Sequence, residues 1–368
     1  MNALIQLRQY LHRHPELSNR EHATSEKIAE VMKELDPEEE ILLGSTGRAF
    51  VYNGTDPGPT TIFRAELDAL PIAETSELPY TSSNPGVSHV CGHDGHMSIL
   101  VGLAQQIAAR RPVQGKVVLL FQPAEEVEQG ARDVVQDPRF RMIEPDYVFA
   151  LHQIPGEPMH RVLIKEGSFA AASRGMTVKL TGRTSHAGEP EQGISPASAV
   201  SRIIADVEDL NQQKERFGDV TFTTLIYIRL GEISFGTTPG EASLGLTLRS
   251  FLNEDMEVLI GEVEKLIGDI AREEGLIHEI SQSEVFPATI NDPACVEQIR
   301  IAAGMAQLPV RELDRPFRWS EDFGYYTEKY KGGYFGIGSG EEAPALHHPG
   351  FDFPDELIGS GVSVFYSI

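Results

Sequence analysis

The chain has 368 residues, 40% of them hydrophobic, which gives material for a large core and is too long for one ordinary compact domain. Its 31 Lys+Arg against 55 Asp+Glu leave a net charge of −24 that is spread along the chain without a basic block. Such a surface repels phosphate backbones, so nucleic acid is not an expected partner.

The N-terminal segment MNALIQLRQYLHRHPE has no apolar run behind a basic start and does not read as a signal peptide. Residues 2–14 instead predict a helix with Leu4, Leu7 and Leu11 on one face and Pro15 beyond it, and 21–35 a second with Ile28, Val31, Met32 and Leu35 in register. TTIFRAE, KVVLLF and DYVFALH are apolar runs of strand length, and an amphipathic helix is expected over 97–111. Strands alternating with helices predict a mostly parallel, doubly wound α/β sheet. From residue 175 the pattern changes. A strand at 175–182, a helix at 196–212 capped by Ser195, strands at 219–230 and 243–249, a helix whose core face runs from Met256 to Ile270, and a strand at 277–286 give a β-α-β-β-α-β order. This predicts an inserted ferredoxin-like α+β domain at 172–282, with 1–171 and 283–368 forming the larger, catalytic domain. No run of 18 apolar residues occurs, so no membrane span is expected. The two cysteines, Cys91 and Cys295, cannot make a disulfide framework, and a cytoplasmic location is the default.

Donor atoms gather at strand ends. TTIFRAE runs into Asp68, KVVLLF into Glu125 and Glu126, DYVFAL into His152, and GGYFGIG leads to His347 and His348. In open α/β sheets ligands bind beyond the carboxyl ends of the strands. CGHDGH, residues 91–96, adds a thiol, two imidazoles and a carboxylate just ahead of the predicted helix. Sulfur, imidazole and carboxylate together suit zinc or a similar divalent ion. Cys91 and His93 are expected ligands, one of His347 and His348 a further one, and His96 a supporting or capping residue. His12 and His14 are assigned to helix-end packing and Cys295 to inert core or surface. Arg249 lies opposite Leu244, Leu246 and Leu248 on its strand, so it is a candidate for a substrate carboxylate as well as an ordinary solvated arginine.

These motifs, in order along nearly the whole chain, resemble metallopeptidase family twenty in its amidohydrolase branch, which holds hippurate hydrolases, N-acyl-amino-acid deacetylases and indole-acetyl-amino-acid hydrolases. The matching pieces are LRQYLHRHPELS, RAELDALPI, CGHDGH, FQPAEE, LHQIP, SHAGEP, SEDF and LHHPGFDFPDE. The resemblance implies two divalent metal ions per chain, Zn²⁺ or Mn²⁺, with Cys91 as bridging thiolate and His93, Glu126, His152 and His347 as ligands. It implies Glu125 as the catalytic acid/base and Asp68 as a carboxylate beside the metal site. It makes the inserted domain a dimerisation lid, whose His186 polarises the scissile carbonyl, in the same chain or in the partner subunit of a homodimer. The implied reaction is cleavage of the amide bond of a small N-acyl amino acid. A dipeptidase or aminopeptidase on the same metal site, and an inactive metal-bound scaffold, are the alternatives. Glu66 departs from the branch pattern, which has Asp there, and so do Gly236 and the loop SHAGEPEQGISP.

Overall fold

The structure, a computed structural model, describes residues 1–368. The chain divides into two compact units, one of Met1–Phe169, Thr289–Pro316 and Asp322–Ile368, the other of Ala170–Ala288 and Phe317–Glu321. No helix is long and apolar enough to cross a membrane.

The first unit is built on an eight-stranded mixed sheet in the order Glu39–Leu43, Gly47–Asn53, Gln114–Gln122, Asp56–Glu66, Tyr147–Ile154, Lys331–Gly338, Val162–Ile164 and Val310–Glu312. Its centre is parallel: Asp56–Glu66 pairs with Gln114–Gln122 and with Tyr147–Ile154, which pairs in turn with Lys331–Gly338. Parallel strands covered on both faces are apolar throughout, and Val118, Leu119, Leu120 and Phe121 are all buried. Helix His93–Ala109 packs on this sheet, Leu357–Ser367 reaches it through Phe365 against Phe63 and Phe335, and Asn2–Arg13 packs on His93–Ala109, where Leu4 and Val362 meet at Gly102. Glu66 stands opposite Gln122 and His152 opposite Gly336, so the carboxyl ends of the central strands reach one edge together.

The helix expected at 97–111 starts four residues earlier, at His93. Gly92 makes this possible. It sits at φ +89, in the left-handed region, and a Cβ there would lie 2.3 Å from the Gln153 amide. The chain therefore turns sharply at Gly92, and the metal-type residues His93 and His96 occupy the first helical turn, where a spacing of three puts them on one face.

The second unit has a four-stranded antiparallel sheet in the order Thr221–Leu230, Glu241–Ser250, Ala172–Thr181 and Ile277–Phe286. Helices Ala197–Leu210 and Asn253–Glu273 cover one face through Val200, Ile203, Leu259 and Val263. The order is β-α-β-β-α-β, the ferredoxin-like arrangement. The Ser195 hydroxyl accepts from the Ala197 N–H at 3.3 Å, at the start of the first helix. Phe317–Glu321 joins this unit because the Ala171 N–H donates to the carbonyls of Phe317 and Trp319.

Candidate metal centre

Seven of the residues singled out in the sequence lie in the first unit: Asp68, Cys91, His93, Glu125, Glu126, His152 and His347. Six of them form overlapping clusters in which donor atoms lie within 4.8 Å of one another: Cys91–His93–His152, Cys91–Glu126–His347 and His93–Glu125–Glu126. His152 Nε2 is 3.5 Å from Cys91 Sγ. His93 Nε2 is 3.9 Å from a carboxylate oxygen of each of Glu125 and Glu126. Glu126 also faces His347 Nε2 at 3.7 Å, so it stands between two imidazoles.

Backbone geometry aims these side chains. After Gln122 the chain turns at Ala124, which is left-handed at φ +52. Its N–H donates to the buried Glu21 carboxylate at 2.9 Å, and its carbonyl accepts from the Gln129 and Gly130 N–H groups. Gly130 is required here, since a Cβ would lie 1.6 Å from the Pro123 carbonyl. His347 is also left-handed, at φ +64, and its N–H donates to the Val90 carbonyl at 2.9 Å, tying it to the loop that carries Cys91. Backbone held in sparsely populated regions costs energy and tends to mark functional sites. His348 is exposed and instead accepts a turn hydrogen bond from the Gly350 N–H at 3.0 Å.

The donor set fits divalent cations. His93 Nδ1 donates to the Asp68 carbonyl at 2.9 Å and His152 Nδ1 to the Gln153 carbonyl at 2.8 Å. Each bond fixes the tautomer whose Nε2 carries a lone pair, the form that ligates metal. Burial, then the positive charge of neighbouring imidazoles, holds the His152 pKa well below its ordinary value and lowers that of His347. The rings are therefore neutral and ready to donate. Asp68 is buried beside them and accepts from the Ser18 hydroxyl at 2.7 Å and the Glu126 N–H at 3.0 Å. Burial raises its pKa, but contact with His93 outweighs that and leaves it lowered, hence ionised. Thiol, carboxylates and imidazoles together make the mixed donor set that borderline divalent ions take.

His96 is expected from the sequence as a supporting or capping residue, but its partners escape sequence inspection. His96 donates from Nδ1 to Glu66 at 2.7 Å and is bonded by Nε2 to Gln153. Glu66 is held in turn by the buried Arg64, which donates to Gln122 at 2.9 Å and to Asp322 at 2.5 Å. The available signal was two opposite charges, Arg64 and Glu66, inside an apolar strand. His12 is more than a packing residue. It is fully buried and donates to Asp94 at 2.9 Å and to Glu74 at 3.1 Å.

These groups make the stability of the metal-free protein depend on pH in both directions. Burial works against the charge of His12, but Asp94 and then Glu74 outweigh it and push its pKa up to about 10. Its stabilisation is complete below the unfolded value near 6.5 and fades as pH rises toward 10. Burial lowers His89 to about 4 and His96 to about 3, so their contribution is present above 6.5 and is lost as pH falls toward those values. The expected urea midpoint is highest near neutrality and declines on both sides, and His12→Gln flattens the alkaline limb. An alkaline limb of unchanged slope in that variant would contradict the assignment.

His186 and Arg249 lie in the second unit. His186 is exposed in a two-residue strand paired with Thr237–Thr238, and its Nδ1 accepts from the Gly188 N–H at 3.0 Å. Arg249 donates to the Arg318 carbonyl at 2.8 Å and the Ser320 hydroxyl at 2.9 Å, within the same unit.

Residues 62–368 match peptidase family M20/M25/M40. The hippurate hydrolase of Campylobacter jejuni is 29% identical over 364 residues, covering 98% of this chain and 94% of the relative. The N-acetylcysteine deacetylase of Bacillus subtilis is 30% identical over 358 residues, covering 96% and 93%. Among solved structures, the Bacillus subtilis YXEP protein, a dinuclear metal-binding peptidase of the M20 family, superposes with a TM-score of 0.86 at 27% identity, covering 100% of this chain and 96% of that one. The mixed sheet with its parallel centre and the clustered thiol, imidazole and carboxylate donors define a metal-dependent amide hydrolase. The chain belongs to peptidase family M20/M25/M40.

Proposed function

We propose that this protein cleaves the amide bond of N-acyl amino acids, using two divalent ions, Zn²⁺ or Mn²⁺, held by Cys91, His93, Glu126, His152 and His347. The observation that supports this most is the convergence of donors from three strand ends and the Gly92 turn in overlapping clusters, each with its donor atoms within 4.8 Å of one another, Glu125 among them. Ions held there supply positive charge that acidifies a water and polarises the amide carbonyl. Glu125 has the place of a general base. It is buried and approaches His93, while its neighbour Glu126 faces both His93 and His347. Glu125 takes the proton of the attacking water as it adds to the carbonyl carbon, and returns it to the departing nitrogen. The bond between carbonyl carbon and nitrogen breaks, giving a carboxylate and a free amine.

His186 stabilises the developing oxyanion in this reading. Its Nδ1 accepts from Gly188, so the neutral ring carries its proton on Nε2 and can donate to an oxygen. A homodimer through the second unit supplies it. The edge strand Thr221–Leu230 offers unpaired backbone together with exposed Leu225, Ile226, Ile228 and Leu230, the surface that another strand covers. Mixing a His186→Ala chain with a Glu125→Ala chain should restore activity if the site is shared. Confirmed mixed dimers without activity would place His186 in its own chain's reaction. Arg249 meets the substrate carboxylate, so Arg249→Met should raise KM for N-acyl amino acids about tenfold more than for their C-terminal amides. An equal effect on both would remove that role. The cytoplasm is the proposed location, in keeping with two buried cysteines that form no disulfide.

The deciding experiment compares N-acetyl and N-benzoyl amino acids with free dipeptides, alongside metal analysis of the purified protein. Two metals per chain with turnover of the acylated substrates is expected. Preference for dipeptides would transfer the site to a peptidase, and two metals without turnover on any amide would make it a scaffold.

A further inference from the structure

The N-terminal helix Asn2–Arg13 sends two fully buried cationic side chains, Arg8 and His12, under the candidate centre. His12 joins Asp94, the residue after His93, to Glu74, in the long loop that follows Asp68. Glu74 accepts in turn from the Ser82 N–H at 2.8 Å. Arg8 lies 3.6 Å from Asp94 and donates to Asp352 at 2.7 Å, to Asp355 at 2.8 Å and to the Tyr80 hydroxyl at 3.0 Å. Tyr80 closes the ring by donating to Asp352 at 2.8 Å. Three segments distant in sequence thus meet on one helix: the loop after Asp68, the turn bearing Cys91 and His93, and the loop just after His347.

None of Arg8, His12, Glu74, Asp94 and Asp352 belongs to the donor clusters around Cys91. Buried ionic groups cost desolvation energy that apolar packing avoids, and one well-attested use for them is to fix a unique arrangement. Here the arrangement fixed is the spacing between His93, in the first turn of its helix, and His347, in a loop outside the named strands. We propose that Arg8 and His12 are positioning residues that clamp these three loops and so set the affinity of the centre for its metals.

This inference rests on the two-metal reading. Its test uses the full-length protein stripped of metal and titrated with Zn²⁺ against a chromophoric chelator, with melting temperature recorded in parallel. His12→Gln should weaken binding about tenfold, the scale of changes to residues that orient ligands. Glu74→Gln, a milder change of nearly equal shape, should weaken it less. Ile299→Ala, which opens a cavity in the buried face of the helix Pro293–Met305, should melt earlier yet bind Zn²⁺ as the unaltered protein does. If His12→Gln fails to fold, Glu74→Gln decides the matter alone. Wild-type affinity in the clamp variants would overturn the proposal, as would affinity that tracks melting temperature in all three. An unaltered protein that binds no Zn²⁺ would overturn the centre itself, and the clamp with it.

Discussion

Glu125→Gln is expected to bind both metals and to lose about two to four powers of ten in kcat, the usual contribution of a positioned acid/base group. The change replaces one oxygen by a nitrogen of similar size, so the turn at Ala124 and its bonds to Glu21 and Gly130 remain. What disappears is the ability to carry a proton. KM should move little, because Glu125 is not among the proposed metal ligands. Glu126→Gln provides the contrast: there the loss should include metal affinity, since Glu126 faces both His93 and His347. Single-turnover rates together with metal content by elemental analysis separate the two outcomes. Turnover by Glu125→Gln within tenfold of the unaltered protein would remove Glu125 from proton transfer.

Arg64→Met should cost about 3–5 kcal/mol of unfolding free energy at neutral pH, as expected when one member of a buried ionic group is removed. Arg64 is the shared partner of Glu66 and Asp322, and all three side chains are wholly buried. Burial already raises the Asp322 pKa, with Arg64 the largest opposing influence. Without Arg64 the folded-state pKa of Asp322 would lie further above its unfolded value. Such a group destabilises most at high pH, so the deficit should shrink as the solution is acidified toward pH 5. Arg64→Lys should recover only part of the loss, because a single ammonium cannot fork between Glu66, Gln122 and Asp322. Urea unfolding at several pH values measures all of this. A deficit under about 1 kcal/mol, or one independent of pH, would show that the surroundings compensate.

What could be read from the sequence followed from pattern length. TTIFRAE, KVVLLF and DYVFALH are long enough to identify themselves as buried strands, and the alternation in the second unit places its helices and strands closely. Val162–Ile164 and Val310–Glu312 are three residues each, too short to carry a period, and they belong to the sheet only through neighbours far away in sequence. The return of Phe317–Glu321 to the second unit likewise depends on backbone bonds to Ala171 that leave no mark on residue type. The start of the central helix was displaced because Gly92 reads equally as loop or as helix entry, and only its crowding against Gln153 decides. Glu125, Glu126, His152 and His347 stood out because donor side chains follow apolar runs, and Cys91 and His93 because CGHDGH gathers a thiol, two imidazoles and a carboxylate in six residues. Arg8, Glu74 and Asp352 did not, since each acquires meaning only by meeting partners across the fold.

The place of Lys331–Gly338 in the sheet has a consequence for synthesis. It lies between Tyr147–Ile154 and Val162–Ile164, two strands that leave the ribosome well over a hundred residues before it. Until it arrives, the growing chain holds an open, apolar groove in the middle of its largest sheet while the ferredoxin-like unit is already able to fold. Ribosome-bound intermediates stopped before residue 331 should therefore be the sticky species, dependent on chaperones, and a late, sudden gain of protease resistance should mark the insertion of that strand.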